Sequence, residues 1–236
     1  MTRQNGVKMP NYKIYPMKLG RTVRPGPGET PILAYYVTDG NVKIVVDTGG
    51  VAADGVVHMP YYQDPEDNLT YRLGQLGVSP DDVDLVILTH LHWDHAANNQ
   101  LFKNAMFYCQ REDLHYAIAP TNVIPWDSFD LETLVKTKYE ILDGDDDIIP
   151  GISVLHVPSH TPGCQCVMVD TEDGLYAICG DFINLYDWWE STPKKAGAIH
   201  VDLAAYYRSF RKLERTGAKI LPGHDYRVLE HECYPY

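Results

Sequence analysis

Between Thr89 and His95 the chain sets three imidazoles and one carboxylate, His90, His92, Asp94 and His95, directly after the apolar run Leu85-Val86-Ile87-Leu88. Imidazole and carboxylate are the donors that suit divalent zinc, iron and manganese. So much polarity at the end of a buried strand is costly to desolvate unless a cation satisfies it. The cluster therefore reads as a metal site.

Three further donors stand in the same relation to an apolar run. His160 lies in Pro158-Ser159-His160-Thr161-Pro162-Gly163, just past a run ending at Val157. Asp181 follows Leu175 to Gly180, and His224 follows Ile220-Leu221-Pro222-Gly223. Any one of these alone reads more simply as a surface or satisfied core residue. The recurrence of one layout, apolar strand, then a small or proline residue, then His or Asp, makes them candidate ligands.

The elements that must carry these donors fall into two strand-rich halves. Ile32 to Val37 and Val42 to Val46 are rich in β-branched and aromatic residues, and Asp39-Gly40-Asn41 between them suits a tight hairpin. Val46 is followed by the polar exit Asp47-Thr48-Gly49-Gly50, and residues 51 to 68 read as an irregular loop holding His58. A short helix is predicted from Asn68 to Leu76 and a buried strand from Val83 to Leu88. Beyond the cluster come a helical turn at Ala96 to Phe102, a strand at Ala105 to Cys109, a helix at Glu112 to Ala119 and a strand at Tyr139 to Leu142. The acidic run Asp143 to Asp147 is expected to be a solvated turn. The second half repeats the pattern with strands at Ile152 to Val157, Cys166 to Asp170, Leu175 to Cys179 and Lys219 to Leu221, and a helix at Leu203 to Thr216. Interspersed helices argue against an all-β barrel. They favour an α/β fold of two mixed sheets packed face to face with helices outside, one domain over residues 1–236.

Composition narrows the partners. With 236 residues, 44% of them hydrophobic and 22% charged, the chain is in the ordinary globular range. A net charge of −12 opposes a polyanion-binding surface, so nucleic acid is excluded as a partner. No apolar run reaches the roughly 18 to 20 residues needed to span a bilayer, so no membrane partner is expected, and Met1 to Pro10 has no apolar leader core. Five cysteines without a dense framework fit a reducing, cytoplasmic setting, with Cys164 and Cys166 as small buried strand residues.

The ordered set His90-x-His92-x-Asp94-His95, then His160, Asp181 and His224, resembles the signature of the metallo-β-lactamase superfamily, from the Asp47-Thr48-Gly49 turn onward. The resemblance implies the αβ/βα four-layer sandwich. It implies two divalent metal ions per chain, zinc first, with manganese, iron or cobalt accepted by the same donors. His90, His92 and His160 would hold one metal, Asp94, His95 and His224 the other, and Asp181 would bridge them. Two such cations about 3.5 to 4 Å apart share a water and lower its pKa towards neutrality, giving a bound hydroxide as nucleophile for acyl transfer. Asp94 could be a ligand only, or could also carry the proton from nucleophile to leaving group.

Within the superfamily, the segments Ser159 to Gly163 and Gly223-His224-Asp225 and the tail Tyr234-Pro235-Tyr236 are similar to N-acyl homoserine lactone lactonases and pyridoxolactonase-like enzymes. That likeness implies a quorum-quenching type of lactonase acting on a small-molecule cyclic ester with an apolar portion. The chain also ends soon after His224, without the helical extension of glyoxalase II-like thioesterases. Those lactonases commonly carry a tyrosine three residues after the bridging aspartate, where this chain has Asn184. Asn184 or the nearby Tyr186 could then meet the substrate carbonyl, Tyr186 could instead serve packing, or the departure could mark a different substrate. Trp126, Phe129 and the pair Trp188-Trp189 are candidates for an apolar wall. Two adjacent tryptophans in a regular strand would face opposite ways, so one would line a pocket or a homodimer contact. His58 and His200 are rim candidates, and His115, His156 and His231 are assigned to packing or surface. Thioester or β-lactam hydrolysis, a mononuclear-iron sulfur dioxygenase and a non-catalytic metal-binding module are the alternatives.

Overall fold

The computed structural model describes residues 11–24, 28–51, 60–120 and 128–236. The first sheet holds β1 (Lys13–Arg24), β2 (Gly28–Thr38), β3 (Lys43–Val46), β4 (Tyr61–Tyr62), β5 (Leu85–Ile87), β6 (Met106–Gln110) and β7 (Tyr139–Leu142), in the order β4-β1-β2-β3-β5-β6-β7. The second holds β8 (Asp146–Ile149), β9 (Ile152–His156), β10 (Gln165–Thr171), β11 (Gly174–Ile178) and β12 (Lys219–Leu221), in the order β12-β11-β10-β9-β8. Both sheets are mixed: β3, β5, β6 and β7 run parallel, as do β11 and β12, and the remaining pairs are antiparallel.

Side-chain alternation along the strands makes the layers. On β2, Leu33, Tyr35 and Val37 point to a core shared with Val154 of β9, Val167 and Val169 of β10 and Ile178 of β11. The intervening Ala34 and Tyr36 point outward, into a second cluster with Leu69 and Leu73 of α1 (Leu69–Gln75), Tyr116 of α3 (Arg111–Ile118) and Leu134 of α4 (Leu131–Lys136). On the far side, Cys166 and Met168 of β10 pack against Tyr206, Phe210 and Leu213 of α6 (Leu203–Glu214). Those three residues recur at helical spacing, so one stripe of α6 covers the sheet. Asp202 caps the helix by accepting from the Ala205 amide, and Arg211 and Lys212 lie in its last turn, where the helix dipole favours cations. Helix, sheet, sheet, helix is the four-layer order expected.

Three elements depart from the sequence reading. Strand β1 runs through Pro16 and Gly20, which look like breakers. Pro16 is tolerated because its missing N–H faces the outer edge, where β4 pairs only with Arg21 and Thr22, and Gly20 takes the register shift against β2. The acidic turn is shorter than expected, since Asp146 and Asp147 already belong to β8. As an exposed edge strand, β8 accepts charge that a central strand would reject. Trp188 and Trp189 lie in a helix, α5 (Tyr186–Glu190), where consecutive side chains diverge without alternating. Among the described residues no helix is long and apolar enough to cross a membrane, and the five cysteines are free thiols.

Candidate metal centre

Strands β3, β5, β9, β11 and β12 all deliver their C-terminal ends to one rim of the sandwich, because β3 and β5 are parallel and β9, β11 and β12 share a direction. The residues just past these ends are Asp47, the Thr89–His95 cluster, His160, Asp181 and His224. Asp94 and His95 ride on α2 (Trp93–Ala96), a single turn with His92 at its N-cap. Two glycines let the turns nest. A Cβ on Gly223 would stand 2.5 Å from the Gly180 carbonyl oxygen, and one on Gly180 would strike Thr89. Each glycine directly precedes a donor, which is the physical reason for the small residue in the recurring layout.

All seven candidate donors are brought together and buried, none more than 6% exposed. They form three overlapping groups, His90 with His92 and His160, His90 with His95 and Asp181, and Asp94 with His95 and His224, each with donor atoms within 4.8 Å of one another. Nε2 of His90 lies 3.1 Å and Nε2 of His160 lies 2.9 Å from Nδ1 of His92. Asp181 reaches both sides: Oδ1 is 2.6 Å from His224 Nε2 and 3.1 Å from His95 Nε2, while Oδ2 is 3.3 Å from His160 Nε2. Asp94 holds Oδ2 3.7 Å from His224 Nε2 and Oδ1 3.9 Å from His95 Nε2.

The tautomers follow from what each ring meets on its other side. Nδ1 of His95 donates to Asp47 Oδ2 at 2.7 Å, Nδ1 of His224 to the Pro31 carbonyl at 2.7 Å, and Nδ1 of His160 to the Ile199 carbonyl at 3.0 Å. Thr89 Oγ1 donates to Asp47 and so is left to accept from His90 Nδ1 at 3.3 Å. The Nε2 atoms of all four rings are thereby turned into the same small space. His92 Nδ1 carries at most one proton and so can serve only one of the two Nε2 atoms that face it, whereas a cation between them would satisfy all three nitrogens. Ligands about 2.0 to 2.1 Å from a four-coordinate zinc stand about 3.3 Å apart, close to the spacing observed. The donor set fits a divalent metal.

Protonation agrees with this. Burial, reinforced by neighbouring imidazoles, pushes His90 and His92 well below the usual histidine range, so both are neutral ligand-type rings. Burial would lower His95 as well, but the Asp47 and Asp94 carboxylates outweigh it and raise its pKa well above the ordinary value. A cation held at Nε2 would replace that proton.

Asp47 is a site residue that its sequence context marked only as a polar strand exit. Its backbone takes φ 60°, a left-handed conformation that aspartate tolerates better than most residues, and its Oδ1 accepts the Thr89 amide at 2.7 Å. The signal was available, since Asp47 repeats the layout of strand end followed by donor.

The candidate substrate side is partly visible. Phe129 is buried with its ring 4.9 Å from that of His92. Asn184 lies three residues past Asp181, its backbone carbonyl accepting the His224 amide at 3.0 Å. Its side chain, Trp188 and the Tyr206 hydroxyl surround Gly197, whose carbonyl accepts from His200. Tyr186 packs its ring under Arg227, 4.5 Å from the guanidinium carbon, with its hydroxyl facing Tyr234. Trp189 turns the other way, onto Phe210 and Lys194. His115 is exposed, His156 donates to the Pro162 carbonyl and His231 stacks on Tyr236, three packing or surface roles. His58 and Trp126 lie outside the described residues.

Two mixed sheets stacked between helices, with buried histidines and aspartates converging at one rim, define a metal-binding αβ/βα sandwich protein. The sequence profile of the metallo-beta-lactamase superfamily matches residues 27–224, and this chain belongs to that superfamily. An N-acyl homoserine lactonase from a Bacillus species is 30% identical over 161 residues, spanning 62% of this chain and 62% of the relative's own length. The N-acyl homoserine lactonase of Bacillus cereus is 28% identical over 214 residues, 83% of this chain and 81% of the relative. Among solved structures, a quorum-quenching N-acyl homoserine lactone lactonase superposes with a TM-score of 0.76 at 25% identity, covering 93% of this chain and 94% of that one.

Proposed function

We propose that this protein is a metal-dependent hydrolase that opens a cyclic ester of the N-acyl homoserine lactone kind, at a centre of two divalent cations. His90, His92 and His160 would hold one cation, Asp94, His95 and His224 the other, and Asp181 would serve both. The observation that carries this reading is the convergence of imidazole nitrogens on His92 Nδ1 at 2.9 and 3.1 Å, with Asp181 presenting one oxygen to each half of the donor set. Cations held there supply Lewis acidity and an activated water.

The remaining steps belong to side chains. Water adds to the lactone carbonyl carbon, the acyl carbon–oxygen bond of the ring breaks, and the alkoxide takes a proton. Asp94 is placed to move it: if one oxygen held a cation, the other would be free to accept a proton from the attacking water and return it to the ring oxygen. Of the two candidates for orienting the substrate carbonyl, we assign Asn184, whose backbone bonds to that of His224, while the Tyr186 hydroxyl is directed to Tyr234. Phe129 and Trp188 form the apolar side that meets an acyl chain.

Elemental analysis of the purified protein, coupled to a pH-stat assay of homoserine lactones, simple esters and thioesters, tests this. Two metals per chain and proton release from lactones are expected. One iron per chain with oxygen uptake on a persulfide would replace the hydrolase by an oxidative enzyme of the same fold.

A further inference from the structure

Asp113 is a carboxylate with no solvent exposure, in the first turn of α3. Its two oxygens each take one backbone amide: Oδ2 from Leu91 at 2.8 Å and Oδ1 from Gly163 at 3.0 Å. Leu91 separates His90 from His92, and Gly163 closes the loop that carries His160. One side chain thus spans the two chain segments that supply the three converging nitrogens, one leaving the first sheet and one belonging to the second.

The fit is close. A Cβ on Gly163 would stand 2.5 Å from the Asp113 amide nitrogen and 2.6 Å from its Cβ, so the His160 loop sits on the helix only because residue 163 is glycine. The same seam is stitched again beside it. Gln165 donates to the Leu88 carbonyl at 2.7 Å and accepts from Gln110, the residue directly before α3, at 2.8 Å. Burying a carboxylate is costly, and burial pushes Asp113 up to about 6 despite the Thr161 hydroxyl and the two amides that pull it down. A packing role alone would be served by an apolar residue at no such cost.

We propose that Asp113 is a positioning residue of the metal centre, fixing the His90–His92 turn at its distance from the His160 loop before a cation arrives. This rests on the reading of the seven donors as metal ligands. Asparagine at 113 keeps one acceptor but turns an NH2 group towards the second amide, so one of the two loops is released.

The test is a cobalt(II) titration of metal-free wild type, Asp113→Asn and Asp67→Asn, followed by absorption and by competition with zinc. Asp67 is a matched control, a buried carboxylate held by Lys18 and Arg72. Affinity for the first equivalent is expected to fall about 10- to 100-fold in Asp113→Asn and to stay at the wild-type value in Asp67→Asn. Equal affinity in wild type and Asp113→Asn would overturn the proposal, as would an equal loss in both variants, which would mean general loosening. Failure of the wild type to bind cobalt would instead sink the metal reading itself. Should Asp113→Asn not fold, amide exchange in metal-free wild type decides: slow exchange at Leu91 and Gly163 supports the clamp, and fast exchange at either refutes it.

Discussion

Asp47 Oδ2 lies 2.7 Å from Nδ1 of His95, joining the end of β3 to the helical turn after β5. That contact decides which nitrogen of His95 carries the proton and aims the other at Asp181. Replacing Asp47 by alanine frees the ring to rotate and removes the partner of Thr89, which in turn holds His90. Chelator competition on the Asp47→Ala variant should show metal affinity reduced about 10- to 100-fold. Wild-type affinity would mean that the ring is held by packing alone.

Direct removal of a donor should be more severe. His95→Ala and Asp181→Asn are expected to lose bound metal and most ring-opening activity, while His115→Ala, exposed on α3, keeps both. Metal content per chain and initial rates measured together make the distinction. Equal losses in all three variants would point to instability of the fold instead.

Stripping the metal should also lower the melting temperature, because a cation that binds only the folded chain stabilises it by mass action. Nε2 of His90 and Nε2 of His160 both face His92 Nδ1, which has at most one proton to offer the two of them. Adding a chelator to wild type should therefore shift the thermal transition downward, and restoring zinc should reverse the shift. A transition indifferent to both additions would contradict the assignment of these donors.

Asp113 gives a pH signature in the metal-free protein. Its folded-state pKa, about 6, lies above its ordinary value, so its protonated form favours folding. The stability it contributes is fully present below about pH 4 and is lost as pH rises through about 6. Urea midpoints of wild type and Asp113→Asn from pH 4 to 8 should show the wild type losing ground to the variant across that window, by at most about 3 kcal/mol. Parallel curves would show that Asp113 does not titrate there.

Thiol chemistry should be nearly silent in the native state. Cys109, Cys164, Cys166 and Cys179 are buried, and burial lifts the first three thiols far above the usual range, leaving Cys233 as the only partly exposed one. A chromogenic disulfide reagent should report about one thiol in the folded protein and all five after denaturation. Rapid native reaction of several thiols would place the β10–β11 face in contact with solvent.

The donors were legible because each is announced by a local event, an apolar strand ending in a turn, and the turn residue itself proves to be required by close backbone approach at Gly180 and Gly223. The layers were legible because alternation along β2 and β10 is a property of neighbouring residues. Asp113 was not, since its sequence context is an ordinary helix start, and its partners at Leu91 and Gly163 come within reach only once the two sheets have stacked. Strand β1 was hidden for a related reason: Pro16 and Gly20 are compatible with a strand only at an outer edge with a bulge, and edge position belongs to the assembled sheet.

The nesting of Gly223 on Gly180, and of Gly180 on Thr89, bears on how substrate range could be altered in the laboratory. Three donor-bearing turns interlock there with no room for a methyl group, so randomising those positions should yield mostly dead clones. The segment from Trp188 to His200 gives the centre the Ile199 carbonyl, a backbone atom that survives almost any substitution. Libraries placed on its side chains could reshape the proposed substrate side while leaving the donor residues in place.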